Sequence, residues 1–103
     1  MSNILNDLGI DQEELDWYDL AICRGMDTNL FYEKYEVDLN IAKNIDEMCL
    51  SCPVVAMCFD SGTENNEYGV WGGVYLSSGS IDKSKNLHKT PEVWRRLRSK
   101  GVA

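Results

Sequence analysis

Cys49, Cys52 and Cys58 stand in a C-x2-C-x5-C spacing, and Cys23 is the only other cysteine in the chain. A C-x2-C turn lets two sulfurs converge on one point. Pro53 stiffens the exit from that turn, and a residue four to six places along a following helix can return a third sulfur. Cys23, from a distant segment, is the only candidate for a fourth. Four thiolates with no histidine among them suit either an all-thiolate zinc site or an iron–sulfur cluster. The competing readings are two disulfides or buried free thiols. Disulfides belong to oxidising compartments. Met1 to Ile10 has no basic start, no apolar run of signal-peptide length and no small-residue cleavage site, so the expected compartment is a reducing cytoplasm. A redox C-x2-C of the thioredoxin kind needs a βαβ surround, and the sequence has none. His88, the single histidine, falls in a polar tail and is expected to be solvated.

These thiols need elements to carry them. Asp11 to Ala21 reads as a first helix, with Asp11 and Glu14 at capping-box spacing and Leu15, Tyr18 and Ile22 at helical intervals. Cys23 then falls in its last turn and Gly25 ends it. Trp17 and Tyr18 would make a dry wall beside the sulfur, or simply core. Asp27 to Glu36 reads as a loop or short helix. Asp38 caps a second helix with Leu39, Ala42, Ile45 and Cys49 on one face. Pro53 suits the first position of a third helix, ended by Gly62. Tyr68 to Leu76 places three glycines around Trp71, a tight turn between short strands. That tryptophan reads equally as a core residue or as an exposed binding residue.

The 103 residues, 44% hydrophobic and 26% charged, make one small domain. No stretch approaches a membrane span. The net charge of −7 opposes nonspecific nucleic-acid binding by the chain as a whole. The charge is uneven, because seven of the ten Lys and Arg lie from Lys83 onward. Residues 1–76 read as the cysteine-bearing body, and 77–103 as a flexible linker with a basic C-terminal helix. Thr90-Pro91-Glu92 starts that helix in good form. Val93, Trp94 and Leu97 give it an apolar stripe. Arg95, Arg96, Arg98 and Lys100 give it a basic face, a candidate nucleic-acid contact.

The pattern as a whole resembles the WhiB-like family of actinobacteria and their phages. The matching residues are Trp17, Ala21 and Cys23, then Asp27 with Leu30-Phe31-Tyr32, then Cys49-x2-Cys52-Pro53-Val54 and Cys58, then Gly69-Val70-Trp71-Gly72-Gly73. The resemblance implies a mainly α fold, a small helical bundle wrapped on a [4Fe–4S] cluster held by Cys23, Cys49, Cys52 and Cys58, with a glycine-rich β-turn. It implies a transcription regulator that binds the C-terminal region of the primary sigma factor. Phe31, Tyr32 and Trp71 match sigma-contacting positions, and Trp17, Gly72 and Gly73 complete the expected partner surface. A cluster held by four cysteines has no open iron position, so no enzyme is expected. The chain departs from the family at Glu33, where proline is frequent, and after the glycine turn, where basic residues are replaced by Tyr75-Leu76-Ser77-Ser78. The family's DNA contacts therefore do not carry over, and the basic C-terminal helix is the candidate in their place. The alternatives from other classes are a thiol–disulfide reductase using Cys49 and Cys52, and a zinc-bound adaptor.

Overall fold

The computed structural model describes residues 21–103. The helix expected over Asp11 to Ala21, and Trp17 with it, lies outside these residues apart from Ala21. Ala21 opens a hydrogen-bonded turn in which its carbonyl accepts from Arg24 N, and the Cys23 carbonyl accepts from Met26 N. Asp27 caps a 3-10 turn over Thr28–Phe31, its carboxylate accepting from Asn29 N at 3.0 Å. The short helix α1 (Glu33–Val37) follows.

Helix α2 (Leu39–Leu50) starts where Asp38 predicts it, the carboxylate accepting from both Asn40 N and Ile41 N. Ala42, Ile45 and Cys49 are buried along one face. Leu39, expected beside them, stands at the first helical position and is exposed. Residues 51–54 form the connecting turn, with Cys52 N donating to the Cys49 carbonyl. Helix α3 (Val55–Glu64) therefore begins two residues later than the Pro53 start expected. Gly62 does not end it either. A Cβ at Gly62 would lie 2.6 Å from Cβ and Cγ of Trp71, so the glycine is there to let Trp71 pack on the helix.

Three short strands form an antiparallel sheet in the order β1 (Gly69–Trp71), β2 (Val74–Ser77), β3 (Ser80–Ile81). Gly72 and Gly73 join β1 to β2 at φ +64° and +80°. Positive φ at both positions is what a two-residue hairpin turn of the right twist needs. The stretch expected as a flexible linker contains β3 and a 3-10 turn over Ser84–Asn86. Asn86 is buried, and its amide donates to Tyr75 O and Asp82 O while accepting from Tyr75 N and Lys89 Nζ. All four of its hydrogen-bonding positions are used. It thus pairs with β2 as a strand would. His88, expected in solvent, is also turned inward, its ring nitrogen 2.7 Å from Asp46.

Helix α4 (Pro91–Ser99) has Thr90 as its cap, with Oγ1 accepting from Val93 N at 3.3 Å. Its end is closed by Gly101 at φ +92° and by Val102 N donating to Leu97 O, a Schellman arrangement. The usual apolar contact of that motif is present, for Leu97 and Val102 are both fully buried. They join one core with Tyr35, Ile45, Cys49, Leu50, Val55, Val74 and Leu76. The expectation of a mainly helical domain with a glycine-rich β-turn holds in coarse form: helices packed on a small antiparallel sheet.

Candidate metal centre

Each thiol is delivered by a different device. Cys23 sits on the turn after Ala21. Cys49 is in the last turn of α2, where Ser51 N and Cys52 N return to the helix end. Cys52 is in the loop before Pro53, and Cys58 is in the first half of α3. All four are free thiols; Cys49 feels the charge of the other three, Cys58 that of Cys23 and Cys52, and Cys23 that of Cys52.

Cys23, Cys49 and Cys58 line one cleft of about 500 Å³. Cys52 is not among the residues that line the cleft the other three share. Phe31 and Tyr32 from the 3-10 turn, and Trp71 and Gly72 from the hairpin, line the same cleft. Its remaining walls include Val70 of the glycine motif, and Met26 and Tyr68, which the sequence did not single out. The available signal was proximity, since Met26 follows Cys23 by three residues and Tyr68 directly precedes the glycine turn. Gly73 stands outside the cleft lining, against Cys49 and Leu97. Trp71 is half-buried and its indole N–H donates to Tyr68 O at 3.1 Å. Trp71 packs on Gly62 and also lines the cleft.

The electrostatics match a site built for thiolates that must not ionise without a counter-charge. Burial pushes the Cys49 thiol well above the ordinary cysteine range, and the other three sulfurs raise it further. Burial raises Cys23 too. Cys58 is pushed up to about 11, again chiefly by burial, although one hydrogen bond opposes this. That bond comes from Gly72 N to Cys58 Sγ at 3.2 Å, so the glycine turn supports negative charge on this sulfur. A bound metal must displace these protons, so binding and folding are linked there. Among the described residues no group of three Cys, His, Asp or Glu forms a closed site for a single metal ion. Four sulfurs on one zinc at 2.3 Å would stand only about 3.8 Å apart. A four-iron cluster takes one thiolate at each of four separate irons, which needs wider spacing and more room. Four cysteine sulfurs are a donor set that either group accepts, and the cleft beside three of them has room for the larger.

The basic face of α4 is partly committed within the chain. Arg96 makes a two-pronged contact with Glu47 of α2, at 2.9 and 3.1 Å. Arg95 pairs with Glu92 one turn earlier. Arg98 and Lys100 are exposed and have no ion-pair partner among the described residues. No described helix is long and apolar enough to cross a membrane.

The family model for transcription factor WhiB matches residues 17–80 of the chain. The redox- and pH-responsive transcriptional regulator WhiB3 of Mycobacterium tuberculosis is 31% identical over 85 residues, covering 72% of this chain and 83% of that protein. The redox-responsive regulator WhiB3 of Mycolicibacterium smegmatis is 36% identical over 80 residues, covering 73% and 83%. The transcriptional regulator WhiD of Streptomyces coelicolor is 40% identical over 65 residues, covering 57% of each. No solved structure matches the chain.

Proposed function

The chain belongs to the WhiB family of transcription factors, and we propose that it is a redox-responsive transcription regulator carrying a [4Fe–4S] cluster and docking on the primary sigma factor. Cys23, Cys49, Cys52 and Cys58 would hold the cluster, which supplies a one-electron centre reactive toward oxygen and nitric oxide. A reducing cytoplasm is the compartment that this reading requires. The observation that carries the proposal is the shared cleft, where three of the four thiols meet the aromatic side chains of Phe31, Tyr32 and Trp71.

That sharing gives the regulator its logic. Phe31 and Tyr32 reach the cleft from the segment just after Cys23, and Trp71 reaches it from the turn whose amide bonds Cys58. The apolar patch that would meet sigma is therefore held in shape by the same residues that hold the thiolates. Tyr32 and Tyr68 are strongly exposed at its rim. Aromatic anchors of this kind often dominate an interface, at ~2 kcal/mol or more each. The C-terminal region of sigma is the proposed occupant, and Arg98 and Lys100 are the side chains left to reach DNA beside it. Trp17 belongs to the proposed partner surface through the family resemblance alone. The burial of Cys49 argues against the reductase alternative, because the reactive species is the thiolate and burial makes it scarce.

Anaerobic purification tests the cofactor. About four irons per chain with broad visible absorbance is the expected result, and a colourless protein with one zinc would overturn it. Pull-down with the sigma C-terminal region tests the partner. Trp71→Ala is expected to keep its iron and lose on the order of thirtyfold in affinity, from that ~2 kcal/mol. Undiminished binding by the iron-loaded variant would defeat the interface assignment.

A further inference from the structure

One turn before Cys49 on α2, the side chain of Asp46 is buried within a polar cluster. Its Oδ1 accepts from Tyr35 OH at 2.6 Å and lies 3.2 Å from Lys89 Nζ, and its Oδ2 lies 2.7 Å from His88 Nε2. Lys89 Nζ also donates to Tyr35 OH at 2.6 Å and to Asn86 Oδ1 at 2.8 Å. The ammonium thus has three protons and three acceptors. The Lys89 side chain has no solvent exposure, and Nζ stands 5.7 Å over the Trp94 ring. An ion pair this deep costs a great deal in desolvation and is weak evidence for stability alone. Its position suggests another use. Asp46 stands on the turn of α2 that leads to Cys49, the most deeply buried of the four thiols, and Lys89 is held against Asp46. Asp46 alone would add negative charge beside a site that already gathers four thiolates, in a chain of net charge −7. Lys89 cancels it, brought in by the C-terminal segment from forty residues along the sequence.

We infer that Lys89 and Asp46 are a counter-charge pair for the thiolate site, positioning residues that set how readily a cluster bound there accepts an electron. The inference rests on the iron–sulfur reading above. The step concerned is uptake of one electron from an external one-electron reductant, with no bond made or broken. Net charge and burial are the usual controls on such potentials. The Lys89 ammonium favours uptake and the Asp46 carboxylate opposes it.

The test uses the full chain, reconstituted anaerobically with ferrous iron and sulfide and titrated with dithionite at one fixed pH. Visible circular dichroism follows the midpoint, and iron is assayed on each sample. Lys89→Met is expected to lower the reduction constant about tenfold, a shift of ~59 mV to more negative potential for one electron. Asp46→Asn is expected to shift the midpoint by a similar step in the positive direction. Both variants break the same ion pair, so a purely structural role predicts shifts of one sign or none. Either of those results, at wild-type iron content, overturns the inference. Should Lys89→Met lose its iron, Asp46→Asn decides alone, and the absence of a positive shift counts against us. Loss of iron from both marks a structural role and overturns it equally. Failure of the underlying iron–sulfur reading is distinct, since it appears in the wild-type chain as no iron uptake at all, and it removes this inference too.

Discussion

Leu97 and Cys49 share the space that a side chain at Gly73 would fill: a Cβ there would lie 3.1 Å from Leu97 Cδ2 and 3.2 Å from Cys49 Cβ. The hairpin turn thus packs against both the C-terminal helix and the helix end that carries a thiol. Only a residue without a side chain lets the two approach this closely. The same turn places Gly72 N on Cys58 Sγ.

A graded glycine series follows from this packing. Gly25 has φ +83° with open space around it, so Gly25→Ala should cost only the left-handed backbone strain of about 1–2 kcal/mol. Gly73→Ala adds crowding against Leu97 and Cys49 and should cost more. Gly72→Ala should cost most, because its Cβ would meet Phe59 Cβ at 2.6 Å and Val55 O at 2.7 Å. Denaturant midpoints of the three variants should fall in that order. A Gly72→Ala protein as stable as Gly25→Ala would contradict the packing described.

The C-terminal segment should behave as part of the body. Leu97 is fully buried, and Leu97→Ala should lose about 2–5 kcal/mol. That is a large share of the 5–15 kcal/mol that holds an ordinary domain together. A chain ending at Ser80 would lack Asn86, Lys89, Leu97 and Val102, all buried. It should show a broad, weakly cooperative melt. A sharp transition at the full-length temperature would show that these contacts contribute little.

The C-x2-C-x5-C trio was visible because its spacing is a local property of the sequence, and α2 because Asp38 caps it and its apolar residues keep one period. The hairpin was legible from its glycines. What stayed hidden depends on contacts across the chain. Tyr35 and Lys89 are 54 residues apart, and nothing in the composition of residues 77–89 marks Asn86 or His88 as buried. Gly62 misled for a related reason. A glycine late in a helix reads as a stop until the partner that it makes room for, Trp71, is known.

Acid should loosen the loop after β3. Asp82 accepts from Ser77 Oγ at 2.7 Å, Ser84 Oγ at 2.8 Å and Lys85 N at 3.0 Å. These bonds hold its carboxyl down at about 2, against an ordinary 3.8. A lowered folded value means the stabilisation is complete above 3.8 and is lost as pH falls towards 2. The stability difference between wild type and Asp82→Asn should therefore be constant at neutral pH and close over that acid interval. A difference that persists undiminished at pH 2 would show that the charge is irrelevant to these bonds.

If the basic face of α4 meets DNA as proposed, the salt dependence of that binding discriminates between a four-residue and a two-residue face. Each phosphate neutralised contributes a slope of about −0.9 in log affinity against log salt. Arg95 and Arg96 already answer Glu92 and Glu47, so only Arg98 and Lys100 are left uncommitted on α4. Two contacts give a slope near −1.8, hence roughly a twelvefold loss for a fourfold rise in salt; four contacts would give more than a hundredfold. The measurement is fluorescence anisotropy of a promoter duplex bound by the regulator and the sigma C-terminal region together. Arg98→Ala with Lys100→Ala should remove most of the slope and leave sigma binding intact. Arg96→Ala should leave the slope unchanged and lower stability slightly, because an exposed pair contributes about 0.2–1 kcal/mol. A slope near −3.6, falling by one contact in Arg96→Ala, would mean that Arg96 leaves Glu47 for a phosphate when DNA arrives.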